Sequence, residues 1–221
     1  MKKSRKEDGT FLRDDALRDA DGGKPSLDSK KFPLGRLIFF VTNNIHKFNE
    51  ARRALSQYNI AVAMLRLKPP EIQDDSLENI ARASALEVSN RTHLPVIVED
   101  AGLFIDALKG FPGPYSSYVY RTIGKEGILK LLEGCGNRKA RFKSVVAFCS
   151  PDLEIKCFRG VVEGRISGTV RGESGFGFDP IFEPDEIPGR TFGELSTDEK
   201  NMVSHRSRAL RSFAEWYKMK L

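Results

Sequence analysis

The apolar positions of this chain change period several times along its length. Residues 36–41, Arg36-Leu37-Ile38-Phe39-Phe40-Val41, form a short run that is apolar throughout after Arg36, the pattern of a buried strand, and it ends in the polar Thr42-Asn43-Asn44. Over residues 47–58 the apolar Phe48, Ala51, Ala54 and Leu55 recur at helical spacing. A second strand is predicted over residues 61–67, closed by Pro69-Pro70. Asp75 or Ser76 then caps a long helix that carries Leu77, Ile80, Ala81, Ala85 and Val88 on one side. Residues 95–98 read as another buried strand running into Glu99 and Asp100, after which Gly102 lets the chain turn away. Residues 104–108 continue it as a short helical or extended piece. A helix is expected over residues 124–133, and two strands over 141–149 and 154–162 follow each other without a helix, as an antiparallel pair would. The last helix, residues 204–218, has Leu210, Phe213, Ala214 and Tyr217 as its apolar stripe. Alternating units early and a hairpin late predict an α/β fold with a mixed sheet.

Composition narrows the class. With 221 residues, 40% hydrophobic and 30% charged, the chain can bury a sizeable core, and it has no apolar run of the roughly 18 residues that a membrane span needs. The formal charge of +6 suits an anionic ligand. Cys135, Cys149 and Cys157 are odd in number and lack C-x-x-C spacing, so they read as reduced thiols and argue against a structural zinc site. Residues 1–34 begin basic but have no apolar segment of a secretory signal. Their mixed charge with Gly, Pro and Ser predicts a disordered extension ahead of one domain over residues 35–221, and the missing signal together with the unpaired thiols predicts a cytoplasmic location.

Candidate chemistry lies where strands hand over to polar residues. Thr42, Asn44 and Lys47 sit at the start of a helix, where backbone N–H groups, the helix dipole and an ammonium group suit phosphate; a plain helix cap with a solvated lysine explains the same residues. Glu99 and Asp100 are adjacent carboxylates after four apolar residues. A divalent cation such as Mg²⁺ would relieve their repulsion, with Glu71 after Pro69-Pro70 as a further acid, and solvated loop acids are the alternative. Gly175-Phe176-Gly177-Phe178-Asp179 combines permissive backbone with two rings that could stack on a base, or with a packed strand. Lys200, His205 and Arg206 place donors around the start of the last helix. On spacing alone, His46 and His93 have no ligand partners.

These segments, in this order, resemble the inosine triphosphate pyrophosphatase family, also called Ham1-like, over residues 37–208. The residues that carry the resemblance are TNNIHK at 42–47, VEDAGL at 98–103, GFPGPY at 110–115, FGFDP at 176–180 and EKNMVSHR at 199–206. The resemblance implies an elongated mixed α/β sheet with flanking helices and two lobes enclosing a nucleotide cleft, a homodimer, and Mg²⁺ as cofactor. It implies hydrolysis of ITP, dITP and XTP to the monophosphate and pyrophosphate, with no membrane and no stable nucleic-acid partner. Carried over by position, Thr42, Asn43, Asn44, Ile45, His46 and Lys47 bind triphosphate, Glu71 and Glu99 bind metal, and Asp100 activates water. Phe176, Gly177, Phe178 and Asp179 hold and stack the base, while Lys200, His205 and Arg206 read the purine. Ala101, in the substrate-binding stretch, stands where many bacterial members have Ser, and Phe178 where Tyr or Trp is common. On this reading Glu99→Gln and Asp100→Asn both stop pyrophosphate release and leave the fold intact. The alternatives are a pyrophosphatase for other modified or pyrimidine nucleotides, or a nucleotide- or nucleic-acid-binding protein without turnover.

Overall fold

The computed structural model describes residues 36–70 and 72–221. The expected extension over 1–34 and the acid Glu71 lie outside them. The first unit is as predicted: strand β1 (Leu37–Val41), helix α1 (Ile45–Ser56) and strand β2 (Ala61–Leu65), with β1 and β2 parallel in register from Leu37↔Ala61 to Val41↔Leu65. Helix α2 (Leu77–Thr92) is capped by Ser76, which accepts from the Asn79 amide. Strand β3 follows (Val96–Ile105), then a 3-10 turn (Asp106–Leu108), the short strand β4 (Pro112–Gly113), and helices α3 (Ser116–Thr122) and α4 (Gly124–Leu131). A long hairpin of β5 (Lys139–Cys149) and β6 (Ile155–Ile166) leads to β7 (Phe182–Pro184), α5 (Thr197–Val203) and α6 (His205–Lys218).

Among the described residues the strands make one seven-stranded mixed sheet in the order β2-β1-β3-β5-β6-β7, with β4 paired to β3. The α/β class with a mixed sheet and flanking helices is therefore borne out. Pairing is parallel among β2, β1 and β3, and antiparallel from β3 onward. Among the described residues no helix is long and apolar enough to cross a membrane.

Strand β3 departs from expectation. It does not end at the acids but runs through them to Ile105, paired with β5 without a bulge from Val96↔Cys149 to Ile105↔Ala140. Alternation along a strand sends successive side chains to opposite faces. Ile97 packs with α1 and α6 residues, whereas Val96 and Val98 pack with α2. Glu99 therefore shares the face of Ile97, and Asp100 the face of Val98. The repulsion between adjacent carboxylates, which suggested a shared metal ion, is relieved by the pleat.

On the Glu99 face two apolar clusters occupy the two ends of the long strands. One contains Ile97, Val146, Phe148 and Phe158 with α1 and α6; the other contains Leu103, Ile105, Phe142, Val162 and Phe182. Between them lie Glu99, Ala101, its cross-strand partner Ser144, and Gly160 opposite Ser144. Gly160 admits the first turn of α6 onto the sheet, since a Cβ there would stand 2.0 Å from the His205 carbonyl oxygen and 2.6 Å from the Ala209 nitrogen.

Gly102 does not turn the chain away from the acids. It lies within β3, where a Cβ would stand 2.2 Å from the Gly113 carbonyl oxygen, so it is what lets the 110–115 turn fold back against the strand edge. Gly102→Ala is expected to destabilise the fold by about 2 kcal/mol or more, because the added Cβ would meet the Gly113 backbone, which cannot move aside as a flexible side chain could. Urea unfolding at neutral pH checks this, and an unchanged midpoint would contradict it.

Candidate active site

The site is assembled where one edge of β3 is left uncovered. Parallel pairing with β1 stops at Val41↔Val98 and pairing with β4 begins only at Leu103, so the backbone between faces the turn after β1. That turn is ordered by its own side chains. Thr42 Oγ1 accepts from the Asn44 amide at 3.1 Å, and Asn44 Oδ1 accepts from the His46 and Lys47 amides at 2.9 and 3.1 Å. Asn44 is thus the N-cap of α1, and it takes up two of the amides expected to meet phosphate. Asn43 donates to the Leu67 carbonyl at 3.2 Å, and Ile45 is exposed. What the turn presents to an anion is mainly the positive end of α1 and Lys47.

Lys47 reaches across the gap. Its Nζ lies 2.9 Å from Glu99 Oε2 and 3.3 Å from the Glu99 carbonyl oxygen. From there an alternating chain of charges runs inward. Glu99 Oε1 lies 3.1 Å from Arg206 Nε, Arg206 also pairs with Glu50, Glu50 Oε1 lies 2.8 Å from Lys200 Nζ, and Lys200 lies 2.7 Å from Asp179 Oδ2. Three cations thus alternate with three carboxylates, and all but Lys47 are buried. Ser144 completes Glu99 with a 2.6 Å hydrogen bond to Oε1. Burial alone would raise these carboxyl pKa values, but the neighbouring cations more than reverse it. Glu99 is held well below its usual range by Arg206 and Lys47, and Glu50 is lowered from its ordinary 4.5 to about 2 by Arg206 and Lys200. Burial works against the Lys200 cation, yet Asp179 and Glu50 raise its pKa overall.

A depressed carboxyl pKa stabilises the fold in full above the unfolded value, and that stability is lost as pH falls through the folded value. For Glu50 the loss begins near pH 4.5 and is complete near pH 2. Urea midpoints measured down to that range should therefore fall steeply in the wild type and less steeply in Glu50→Gln. Parallel curves would contradict the ion-pair chain.

The base end of the site is formed by residues 176–179 and the start of α6. Phe176 is half-buried, and its amide donates to Asp179 Oδ2 at 2.8 Å. Lys200 Nζ lies 4.8 Å and Arg206 Cζ 5.3 Å from its ring centroid. Gly177 is half-buried beside it. Phe178 is placed in the core, 3% exposed and edge-on to Tyr120 at 5.4 Å, so the ring that borders the site is Phe176. His205 stacks on Phe142 with centroids 4.6 Å apart, and burial, then Arg206, pushes its pKa well below 6.5, leaving a neutral imidazole. Its Nδ1 is buried with no hydrogen-bond partner among the described residues.

The residues expected to hold Mg²⁺ fit it unequally. Glu99 has a fully buried side chain with Lys47 on one oxygen and Arg206 and Ser144 on the other, which leaves no place for a hydrated cation. Asp100, half-buried on the opposite face, is a hard oxygen donor of the kind Mg²⁺ takes. Among the described residues no three His, Cys, Asp or Glu side chains form a metal-holding group.

Two residues of this site were not singled out from sequence. Glu50 follows Lys47 by one helical turn and sits beside the buried Ala51 and Ala54, so an acid inside the apolar stripe of α1 was its signal. Ser144 carries no local signal, because only the β3–β5 register brings it to Glu99.

The chain is 55% identical to a dITP/XTP pyrophosphatase of Methanopyrus kandleri, over 82% of this chain and 96% of that one. It is 52% identical to the dITP/XTP pyrophosphatase of Thermococcus kodakarensis, over 83% and 98%. The solved structure of the Staphylococcus aureus Ham1 protein matches with a TM-score of 0.72 at 27% identity, covering 84% of this chain and all of that one. A family model described as the Ham1 family spans residues 38–216, and the chain belongs to that family.

Proposed function

We propose that the chain is a nucleoside triphosphate pyrophosphatase that hydrolyses the non-standard purine nucleotides ITP, dITP and XTP to the monophosphate and pyrophosphate. The observation that carries this is the single chain of ion pairs from Asp179, beside Phe176, to Lys47 at the turn after β1. It fixes a base-binding end and a phosphate-binding end relative to each other. The names of relatives about half identical to this chain support the substrate class.

In this reading Phe176 stacks on the base, and the N-terminus of α1 with Lys47 faces the triphosphate. Asp100 takes the proton from the water that attacks the α-phosphorus. Glu99 acts as the anchor that orients Lys47 and Arg206, and the metal-ligand role passes to Asp100 together with Glu71. Mg²⁺ bound there would neutralise phosphate charge and lower the pKa of bound water. Base choice is assigned to the six-position: hypoxanthine and xanthine present a carbonyl there, which accepts from Arg206 or the neutral His205, whereas adenine presents an amino donor and leaves them unpaired. Action as a homodimer belongs to the same reading and rests on the family resemblance, while a cytoplasmic location rests on the unpaired cysteines.

A panel of nucleoside triphosphates with Mg²⁺, followed by pyrophosphate release, tests the proposal. Preference for ITP, dITP and XTP supports it. Preference for pyrimidine or other modified nucleotides, or no turnover, would overturn it.

A further inference from the structure

His46 had no assignable partner in the sequence, and by family position it belongs to the triphosphate-binding turn. The structure puts its ring elsewhere. The His46 imidazole lies on the Phe176 phenyl ring with centroids 5.4 Å apart and planes 24° from parallel. Phe176 is held in place: its amide is tied to Asp179, and its ring borders Lys200 and Arg206, themselves locked in ion pairs. His46, by contrast, is exposed on the first turn of α1, so its side chain can rotate without disturbing the core. It stands two residues after Asn44 and next to Lys47, between the aromatic end of the site and the helix terminus that faces phosphate.

We propose that His46 is a base-contacting residue: the His46 and Phe176 rings part to admit the purine, which is then stacked between them. The inference rests on the pyrophosphatase reading above and adds a second face to its base site. Separation of two stacked rings by one further ring needs only a side-chain rotation at His46, because Phe176 stays with its cations. A base clamped on both faces lies parallel to the Phe176 ring that Lys200 and Arg206 border, so the clamp fixes its orientation relative to those cations. The stack itself is indifferent to base identity, since every base has a π-face.

The test compares wild type, His46→Ala and His46→Phe in steady-state hydrolysis of ITP, with inorganic tripolyphosphate as an inhibitor that lacks a base. His46→Ala is expected to raise KM for ITP by about tenfold, the range seen when one base-stacking ring is removed. The change in kcat should be small, and His46→Phe should restore KM. The inhibition constant of tripolyphosphate should be the same in all three, which a general disturbance of the α1 terminus would not allow. An unchanged KM in His46→Ala, a lowered KM, or a parallel shift for tripolyphosphate would overturn the clamp. Absence of ITP hydrolysis by the wild type would instead count against the pyrophosphatase reading on which it rests.

Discussion

Asp100→Asn should lower pyrophosphate release from ITP by about a thousandfold or more while the protein remains folded. The substitution keeps the shape of the side chain and removes its charge and its ability to accept a proton from water. Asp100 lies in the middle of β3, at the uncovered stretch of strand edge between β1 and β4, on the face opposite the ion-pair chain. Its loss should therefore leave the Glu99–Arg206–Glu50–Lys200 contacts in place. The measurement is a paired one, with kcat from continuous pyrophosphate detection and a urea midpoint from circular dichroism. Turnover near that of the wild type would remove Asp100 from the mechanism.

Glu99→Gln should behave differently, although the residue is next in sequence. The Glu99 side chain is fully buried and compensates both Lys47 and Arg206, with Ser144 fixing one oxygen. Breaking such a buried pair by removing one partner leaves uncompensated charge and costs about 3 kcal/mol or more. The variant is expected to show a clear loss in the urea midpoint together with impaired turnover, because Lys47 and Arg206 both lose their anchor. The sequence alone predicts lost activity on an intact fold; the burial of this carboxylate is what changes the expectation. An unchanged midpoint would contradict the anchoring role.

Much of the fold was legible in the chain because periodicity is a local property. The strand–helix–strand unit of β1, α1 and β2 follows from an apolar run and a helical stripe, and Ser76 and Ser204 were readable as helix starts. Helix α3 was not, since Ser-Ser-Tyr-Val-Tyr-Arg-Thr is short and rich in aromatic and β-branched residues that favour strands. The extent of β3 was missed because Glu99, Asp100 and Gly102 interrupt its apolar run, although alternation makes them compatible with a strand.

The site was legible as an ordered set of motifs that resemble one family, which named Lys47, Asp100, Phe176, Lys200, His205 and Arg206. Which groups pair with which was not. Glu50 belongs to the buried charge chain only because α6 crosses the sheet at Gly160 and brings Arg206 against α1. Phe176 and Phe178 look equivalent in sequence, yet one borders the site and the other fills the core. Such distinctions depend on packing between segments far apart in the chain, to which a local pattern is blind.

Base-selective cleavage between the α- and β-phosphates underlies these predictions. It is tested most directly by incubating the protein with Mg²⁺ and equal amounts of ITP and ATP and resolving the products by anion-exchange chromatography. IMP and pyrophosphate should accumulate together while ATP persists. Appearance of IDP with orthophosphate, or consumption of ATP at the same rate, would contradict it.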